Sequence, residues 1–263
     1  MKLKVPERGP AGKGIKIHVR NTTAVRKRRN KMLYAIGDPH LHFSVSLSLP
    51  METSSPLWRD HEERFRQGWL HTVTQEDTVV VCGDISFGRN EQQCRRDFDF
   101  LAALPGRKIL LRGNHDNYWD VKKTEKLNER WKGTFSFLQN NHFSYGSVAL
   151  VGTKGYAWEG KDTPEHAEML VEREAERLEM SFQSAAREGF SRFIVFLHFP
   201  PTNYTQRTSI FCRMAEKWGA EQVIYAHCHG RHRYDDSIRG MYKGIRYTLV
   251  SGDCLNWRPF RVL

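Results

Sequence analysis

Cysteine is scarce in this chain and never paired in sequence. Cys82, Cys94, Cys212, Cys228 and Cys254 contain no Cys-x-x-Cys, and their number is odd. No disulfide framework is expected, and a reducing, cytoplasmic compartment is expected. Long apolar runs are missing as well. No window approaches the roughly 18 consecutive apolar residues of a membrane span, so no membrane partner is expected. There is no internal repeat, and no low-complexity run beyond a basic N-terminal segment. Acidic residues are nearly absent from that segment: residues 1–31 hold 11 Lys/Arg and a single acid, Glu7.

The charge distribution decides what the overall balance of +11 means. With that segment set aside, 30 of the 41 basic and 29 of the 30 acidic residues remain, so the rest of the chain is close to neutral. The basicity is a property of the tail, exemplified by Arg26-Lys27-Arg28-Arg29. Its Gly, Pro and basic residues predict disorder over 1–31. Three readings of it stand side by side: a solvated extension or upstream start with Met32 as the true beginning, an electrostatic arm for nucleic acid, and an organellar transit peptide without the usual amphipathic pattern. Residues 32–263 are long enough to bury a large core as one domain.

Within that domain, short apolar runs alternate with amphipathic segments. Strands are expected at Met32–Ile36, Thr78–Cys82, Lys108–Leu111, Ser147–Gly152, Phe193–Leu197, Gln222–Ala226 and Arg246–Val250. Several are Val/Ile-rich without alternation, as in strands covered on both faces. Helices are expected at Trp58–Thr72, Glu91–Leu104, Val121–Trp131, Pro164–Arg187 and Ile210–Trp218. In Pro164–Arg187, an apolar stripe of Met169, Ala175, Leu178, Phe182 and Ala185 opposes a Glu/Arg-rich face. The order predicts a layered α/β fold.

Five polar clusters each follow an apolar run: Asp38-Pro39-His40, Gly83-Asp84, Gly113-Asn114-His115-Asp116, His198, and His227-Cys228-His229. Ligand sites of α/β sheets lie at the carboxyl ends of strands. Carboxylates, an amide and imidazoles gathered there read as a site for two metal ions. Gly83 lets the backbone come close. The carboxylate of Asp84 has two oxygens and could bridge ions about 3.5–4 Å apart. Asn114 offers an amide oxygen, which leaves His115 beside the metals and free to act on substrate. Asp116 is suited to orienting a loop through side-chain to backbone bonds. His227 and His229 point the same way if the backbone is extended, with Cys228 turned away into packing. His42 reads as a loop histidine and His232 as solvent-facing. Arg112 and Lys154 are candidate substrate contacts, with pairing to an acid the alternative for Arg112. Tyr118, Trp119, Tyr156 and Trp158 read either as an aromatic rim for a ring or base or as core closing the layers.

In this order the clusters resemble the calcineurin-like metallophosphoesterases, from about Met32 to the C-terminus. Local stretches such as Gly152-Thr153-Lys154-Gly155, His198-Phe199-Pro200-Pro201 and Asp253-Cys254-Leu255-Asn256 are similar to small bacterial predicted phosphohydrolases. The resemblance implies a four-layer α/β/β/α sandwich. It implies that Asp38, His40 and His229 hold one ion, that Asn114, His198 and His227 hold the other, that Asp84 bridges, and that His115 is catalytic. Two departures stand out. Ala226 replaces the usual Gly before His-x-His. Phe87 stands where the protein phosphatases of the superfamily carry an acid, which argues against a close likeness to them.

The implied activity is hydrolysis of small phosphomonoesters or phosphodiesters by a two-metal centre with a bridging hydroxide. The ions would be divalent or mixed-valence Mn, Fe, Zn or Ni, and the partner a phosphorylated small molecule. Two rivals differ in kind. A nuclease is supported only by the basic tail, and deleting residues 1–31 should then flatten the salt dependence of DNA or RNA binding. A non-catalytic metal-stabilised scaffold is opposed by the presence of His115 beside all seven ligand candidates.

Overall fold

The computed structural model describes residues 30–47, 55–202 and 208–263. The basic segment assigned to 1–31 therefore lies almost wholly outside the described residues. Lys31–Leu263 forms one compact unit.

Two sheets carry the fold. The first contains β1 (Leu33–Ile36), β2 (Thr78–Cys82), β3 (Arg107–Leu111), β4 (Phe135–Leu138) and β11 (Phe260–Arg261), in the order β11-β1-β2-β3-β4. β1 to β4 run parallel, and β11 is antiparallel on the edge. The second contains β5 (His142–Tyr145), β6 (Val148–Thr153), β7 (Phe193–Leu197), β8 (Gln222–Tyr225), β9 (Gly240–Tyr242) and β10 (Ile245–Leu249), in the order β5-β6-β7-β8-β10-β9. Its four central strands are parallel, with antiparallel β5 and β9 at the edges.

Three apolar layers explain why these strands lack alternation. Alternate residues of β1 to β3, including Ala35, Val80, Ile109 and Leu111, meet Leu150, Ile194, Phe196 and Ile224 between the sheets. The other faces pack outward. Ile36, Val79, Val81 and Leu110 lie under α1 (His61–Thr72) and α2 (Glu91–Ala103), with Phe65, Trp69, Phe98 and Leu101. On the far side, Val151, Val195, Val223 and Tyr225 lie under α4 (Pro164–Arg187) and α5 (Ile210–Lys217). A strand buried on both faces selects β-branched residues at every position. The four-layer α/β/β/α arrangement expected from the resemblance is the architecture found.

The helices expected from Glu91, Pro164 and Ile210 start at those residues, and caps account for their N-terminal boundaries. Asn90 accepts from the Gln93 backbone N–H at the start of α2, and Thr163 from that of His166 at the start of α4, just before Pro164. Trp58–Thr72 is not one helix. A short 3₁₀ turn, Pro56–Trp58, ends at Arg59, and Asp60 at φ 51° separates it from α1. The break frees Trp58 to lie buried under the site. Val121–Trp131 likewise divides into a 3₁₀ turn, Val121–Lys123, and α3 (Thr124–Arg130). In α4 the stripe is displaced: Met169 is exposed, whereas Glu174 and Ser181 are buried with Ala175, Leu178, Phe182 and Ala185. Polar positions there have internal duties. Glu174 accepts from Thr153 Oγ1 at 2.6 Å, and Ser181 Oγ accepts from the Gly152 N–H at 3.0 Å.

β4, β5, β9, β11 and α6 (Gly230–Asp236) were not anticipated from the sequence. β9 has every residue exposed, and α6 buries none, so neither leaves an apolar period to read.

Candidate metal centre

All seven ligand candidates converge at the carboxyl ends of β1, β2, β3, β7 and β8, where the two sheets meet. The strand ends are contiguous because those of the first sheet are neighbours and the second sheet brings β7 and β8 across from them. Donor atoms of Asp38, His40 and His229 lie within 4.8 Å of one another, and so do those of Asp84, His198 and His227. Asp84 touches both groups: its Oδ2 is 3.6 Å from His40 Nε2 and 3.4 Å from His198 Nε2. Asn114 Oδ1 lies 2.7 Å from His198 Nε2.

The backbone needed for this convergence is unusual. Asp38, His40, Asp84 and His227 all have positive φ, from 45° to 69°. Non-glycine residues are strained there, and such strain clusters at functional sites. His227 at φ 69° also corrects the expectation of an extended His-x-His. Both imidazoles still reach the centre, His229 in one group and His227 in the other, and Cys228 is buried as expected. Ala226 is accommodated by Gly37 across the sheet interface, where an added Cβ would come 2.4 Å from the Ala226 Cβ.

Outer partners decide which ring nitrogen each histidine turns inward. His198 Nδ1 lies 3.0 Å from the Cys82 carbonyl, His229 Nδ1 is 3.1 Å from Asp253 Oδ1, and His227 Nε2 is 2.9 Å from Glu159 Oε1. Each of those nitrogens is matched to an acceptor and so carries the hydrogen. The inward atoms, His198 Nε2 and His227 Nδ1, then present lone pairs to each other at 3.2 Å, and His198 Nε2 also faces the Asn114 oxygen. Three acceptors with no hydrogen to share are a donor set for a cation.

The electrostatics agree. Burial lowers the basicity of His40 and takes His198 down to about 3, so both are neutral ligand-type imidazoles. Burial, reinforced by Asp84 and Asp253 and opposed by His229, pushes the Asp38 carboxyl up to about 7. Burial also opposes ionisation of Asp84, but the surrounding His198, His40, His115 and His227 prevail and hold its pKa below the usual range. The buried carboxylates and neutral imidazoles fit divalent metal ions of the borderline class.

Gly113-Asn114-His115-Asp116 is fastened to the Asp84 loop. Asp116 accepts from the Gly113, Ile85 and Ser86 N–H groups at 2.7, 2.8 and 3.1 Å, and Asp84 Oδ1 accepts from the His115 N–H at 2.8 Å. The loops approach so closely that a Cβ at Gly113 would lie 2.1 Å from the Asp84 backbone nitrogen, and one at Gly83 2.5 Å from His198 Nδ1. Asp116→Ala should therefore lower the unfolding free energy by at least about 2 kcal/mol, because three buried N–H groups lose their acceptor. Denaturant unfolding of the metal-free protein would check this; a loss under about 0.5 kcal/mol, the range of neutral surface changes, would refute the brace.

His115 stands at the mouth, 45% exposed, with Nε2 4.0 Å from Asp84 Oδ2. Phe87, in the position of the missing acid, packs against the His115 ring at 4.9 Å and stacks on His40 at 5.3 Å. Lys154 Nζ lies 4.9 Å from the Phe199 ring, which in turn is 4.3 Å from His227; burial pulls the ammonium pKa down to about 8. Arg112 has its Nε buried without a hydrogen-bond partner and makes no ion pair among the described residues. The four aromatics divide. Tyr118 packs on Phe98, and Trp119 is buried against Phe137, so these two are core; Tyr156 is half-buried on Phe199, and Trp158 is 49% exposed. His232 is 91% exposed and paired with Asp236, outside the site. His42 lies with His61 and Glu62, its Nδ1 3.1 Å from the His40 carbonyl, apart from both ligand groups.

Sequence reasoning missed Glu159, Asp253 and Trp58. Glu159 and Asp253 hold the imidazoles of His227 and His229, two of the ligand candidates. Trp58 underlies His40 and His229 at 5.4 and 5.0 Å and donates from Nε1 to Asp253 Oδ2 at 3.3 Å. Only Asp253 carried a signal, as part of Asp253-Cys254-Leu255-Asn256.

Comparison with known proteins bears on this geometry. The profile of the calcineurin-like phosphoesterases matches residues 32–231, and the chain belongs to that family. The Gene 66 protein of Mycobacterium phage L5 is 37% identical over 57 residues, which span 22% of this chain and 27% of the phage protein. The fold is shared with phosphopantetheinyl hydrolase (PptH) from Mycobacterium tuberculosis, at a TM-score of 0.55 and 14% identity over 89% of this chain and 96% of that one. It is also shared with the protein TT1561 of Thermus thermophilus, at a TM-score of 0.50 and 12% identity over 76% of this chain and 82% of that one. Among the described residues no helix is long and apolar enough to cross a membrane, and all five cysteines are free thiols.

Proposed function

We propose that the protein hydrolyses small phosphomonoesters or phosphodiesters at a dinuclear metal centre. The observation that carries this reading is Asp84 Oδ2, which lies within 3.6 Å of imidazoles from both ligand groups. Asp38, His40 and His229 would hold one ion and Asn114, His198 and His227 the other, with Asp84 shared. The ions would supply charge neutralisation and a water activated as nucleophile near neutral pH. Mixed His, Asp and Asn ligation suits Mn, Fe, Zn or Ni.

The chain's own groups do the rest. The convergent carboxylates and imidazoles fix where the phosphate sits. Lys154 and Arg112, both without carboxylate partners within hydrogen-bonding distance among the described residues, meet its oxygens as charge builds on them. His115, exposed at the mouth and held through its backbone N–H by Asp84, donates a proton to the departing alkoxide. Phe87 packs one side of its ring and limits its swing. The free thiols suit a reducing cytoplasm.

Metal analysis of the purified protein, combined with nitrophenyl phosphate mono- and diesters in the presence of Mn²⁺, tests the proposal. Hydrolysis should vanish on chelation and return with metal. Chelation should also lower the melting temperature, since ions that bind only the folded chain stabilise it. Bound metal without turnover of any ester would favour the scaffold reading instead.

A further inference from the structure

The two histidines of His227-Cys228-His229 are backed by carboxylates of very different kinds. Asp253, behind His229, is buried, and its oxygens are held by the Gly230 and Cys254 N–H groups at 3.2 and 3.1 Å and by Trp58 Nε1. Glu159, behind His227, comes from the loop that joins β6 to α4. It is partly exposed, and its Oε1 is shared between His227 Nε2 at 2.9 Å and Arg233 Nη2 at 2.8 Å. Arg233 belongs to α6, which follows the His-x-His turn. The loop itself is stapled by Asp162, which accepts from Trp158 Nε1 through its carbonyl at 3.0 Å and from the Tyr156 hydroxyl through its carboxylate.

From this we infer that Glu159 is a positioning residue for one metal position only. By accepting the Nε2 hydrogen of His227 it sets the tautomer that turns Nδ1 toward His198 and Asn114, and so makes the affinity of that position depend on the docked loop. The inference rests on the reading of His227 as a metal ligand. Without Glu159 the ring is free to carry its hydrogen on Nδ1, which cannot ligate, and Asn114 and His198 remain with Asp84. The His229 position keeps its own carboxylate and has no contact with Glu159. Outer carboxylates of this type are typically worth about 10–100-fold in metal affinity.

Zn²⁺ titration of the metal-free full chain against a chromophoric chelator would read two dissociation constants. In Glu159→Ala one should weaken by about 10–100-fold and the other by less than about twofold. Glu159→Gln keeps an acceptor oxygen at the same reach and should restore most of the lost affinity. General loosening of the fold would weaken both constants and would not be rescued by Gln. Equal weakening of both, or no change in either, would overturn the role of Glu159. Two intact constants in Glu159→Ala would leave the metal reading standing, whereas a wild-type chain that binds no Zn²⁺ would overturn that reading and the inference together.

Discussion

Asp84→Asn should strip the centre of metal and activity together. The replacement keeps the shape but removes the buried charge that faces both ligand groups. Coulomb attraction to the two proposed ions would be the largest interaction this carboxylate could make. The amide also presents N–H groups toward His40 and His198, where lone pairs should meet a cation. Occupancy should fall below one ion per chain after desalting, and turnover should drop by more than about 100-fold, the upper end of the loss seen for outer-shell changes. Two retained ions, measured by plasma emission on the desalted variant, would show that Asp84 does not bridge.

His115→Ala should behave in the opposite way with respect to metal. Its Nε2 lies 4.0 Å from Asp84 Oδ2, its ring packs on Phe87, and the bond that holds it to Asp84 comes from its backbone N–H, so both ions should remain. What is lost is proton delivery to the leaving oxygen, about 10²–10⁴-fold on alkyl phosphates. Nitrophenolate departs without such help, so its esters should be hydrolysed at rates much closer to wild type. This split between leaving groups separates a general acid from a structural residue. Undiminished hydrolysis of an alkyl ester would remove His115 from the mechanism.

The parts of the fold that were legible in the sequence are those where one physical rule dominates. Val79-Val80-Val81 and Phe193–Leu197 lie between two apolar layers, so every residue is apolar and the run stands out. Their polar ends mark the edge at which the site forms. Elements whose form depends on neighbours were not legible. β5 and β9 are short edge strands that exist through pairing with β6 and β10. Trp58 has the composition of a helical core residue, and only the left-handed Asp60 and the packing against His40 and Trp257 place it beneath the site. Met169 fits the apolar period of α4 but lies on its exposed side.

The candidate site divides along the same line. The residue types and their positions after apolar runs determined the inventory of candidate donors, because carboxylate, amide and imidazole groups are a chemical property of the chain. Which donors face one another was decided by tertiary structure. The left-handed turns at Asp38, His40, Asp84 and His227, the close approach of Gly113 to Asp84, and the meeting of β1, β2 and β3 with β7 and β8 across a shared apolar layer divide those donors into two groups with one shared carboxylate. Glu159 is the clearest case of what sequence alone could not supply. A glutamate in a loop is solvent-facing by default, and only the fold carries it across 68 residues of sequence to the nitrogen of His227.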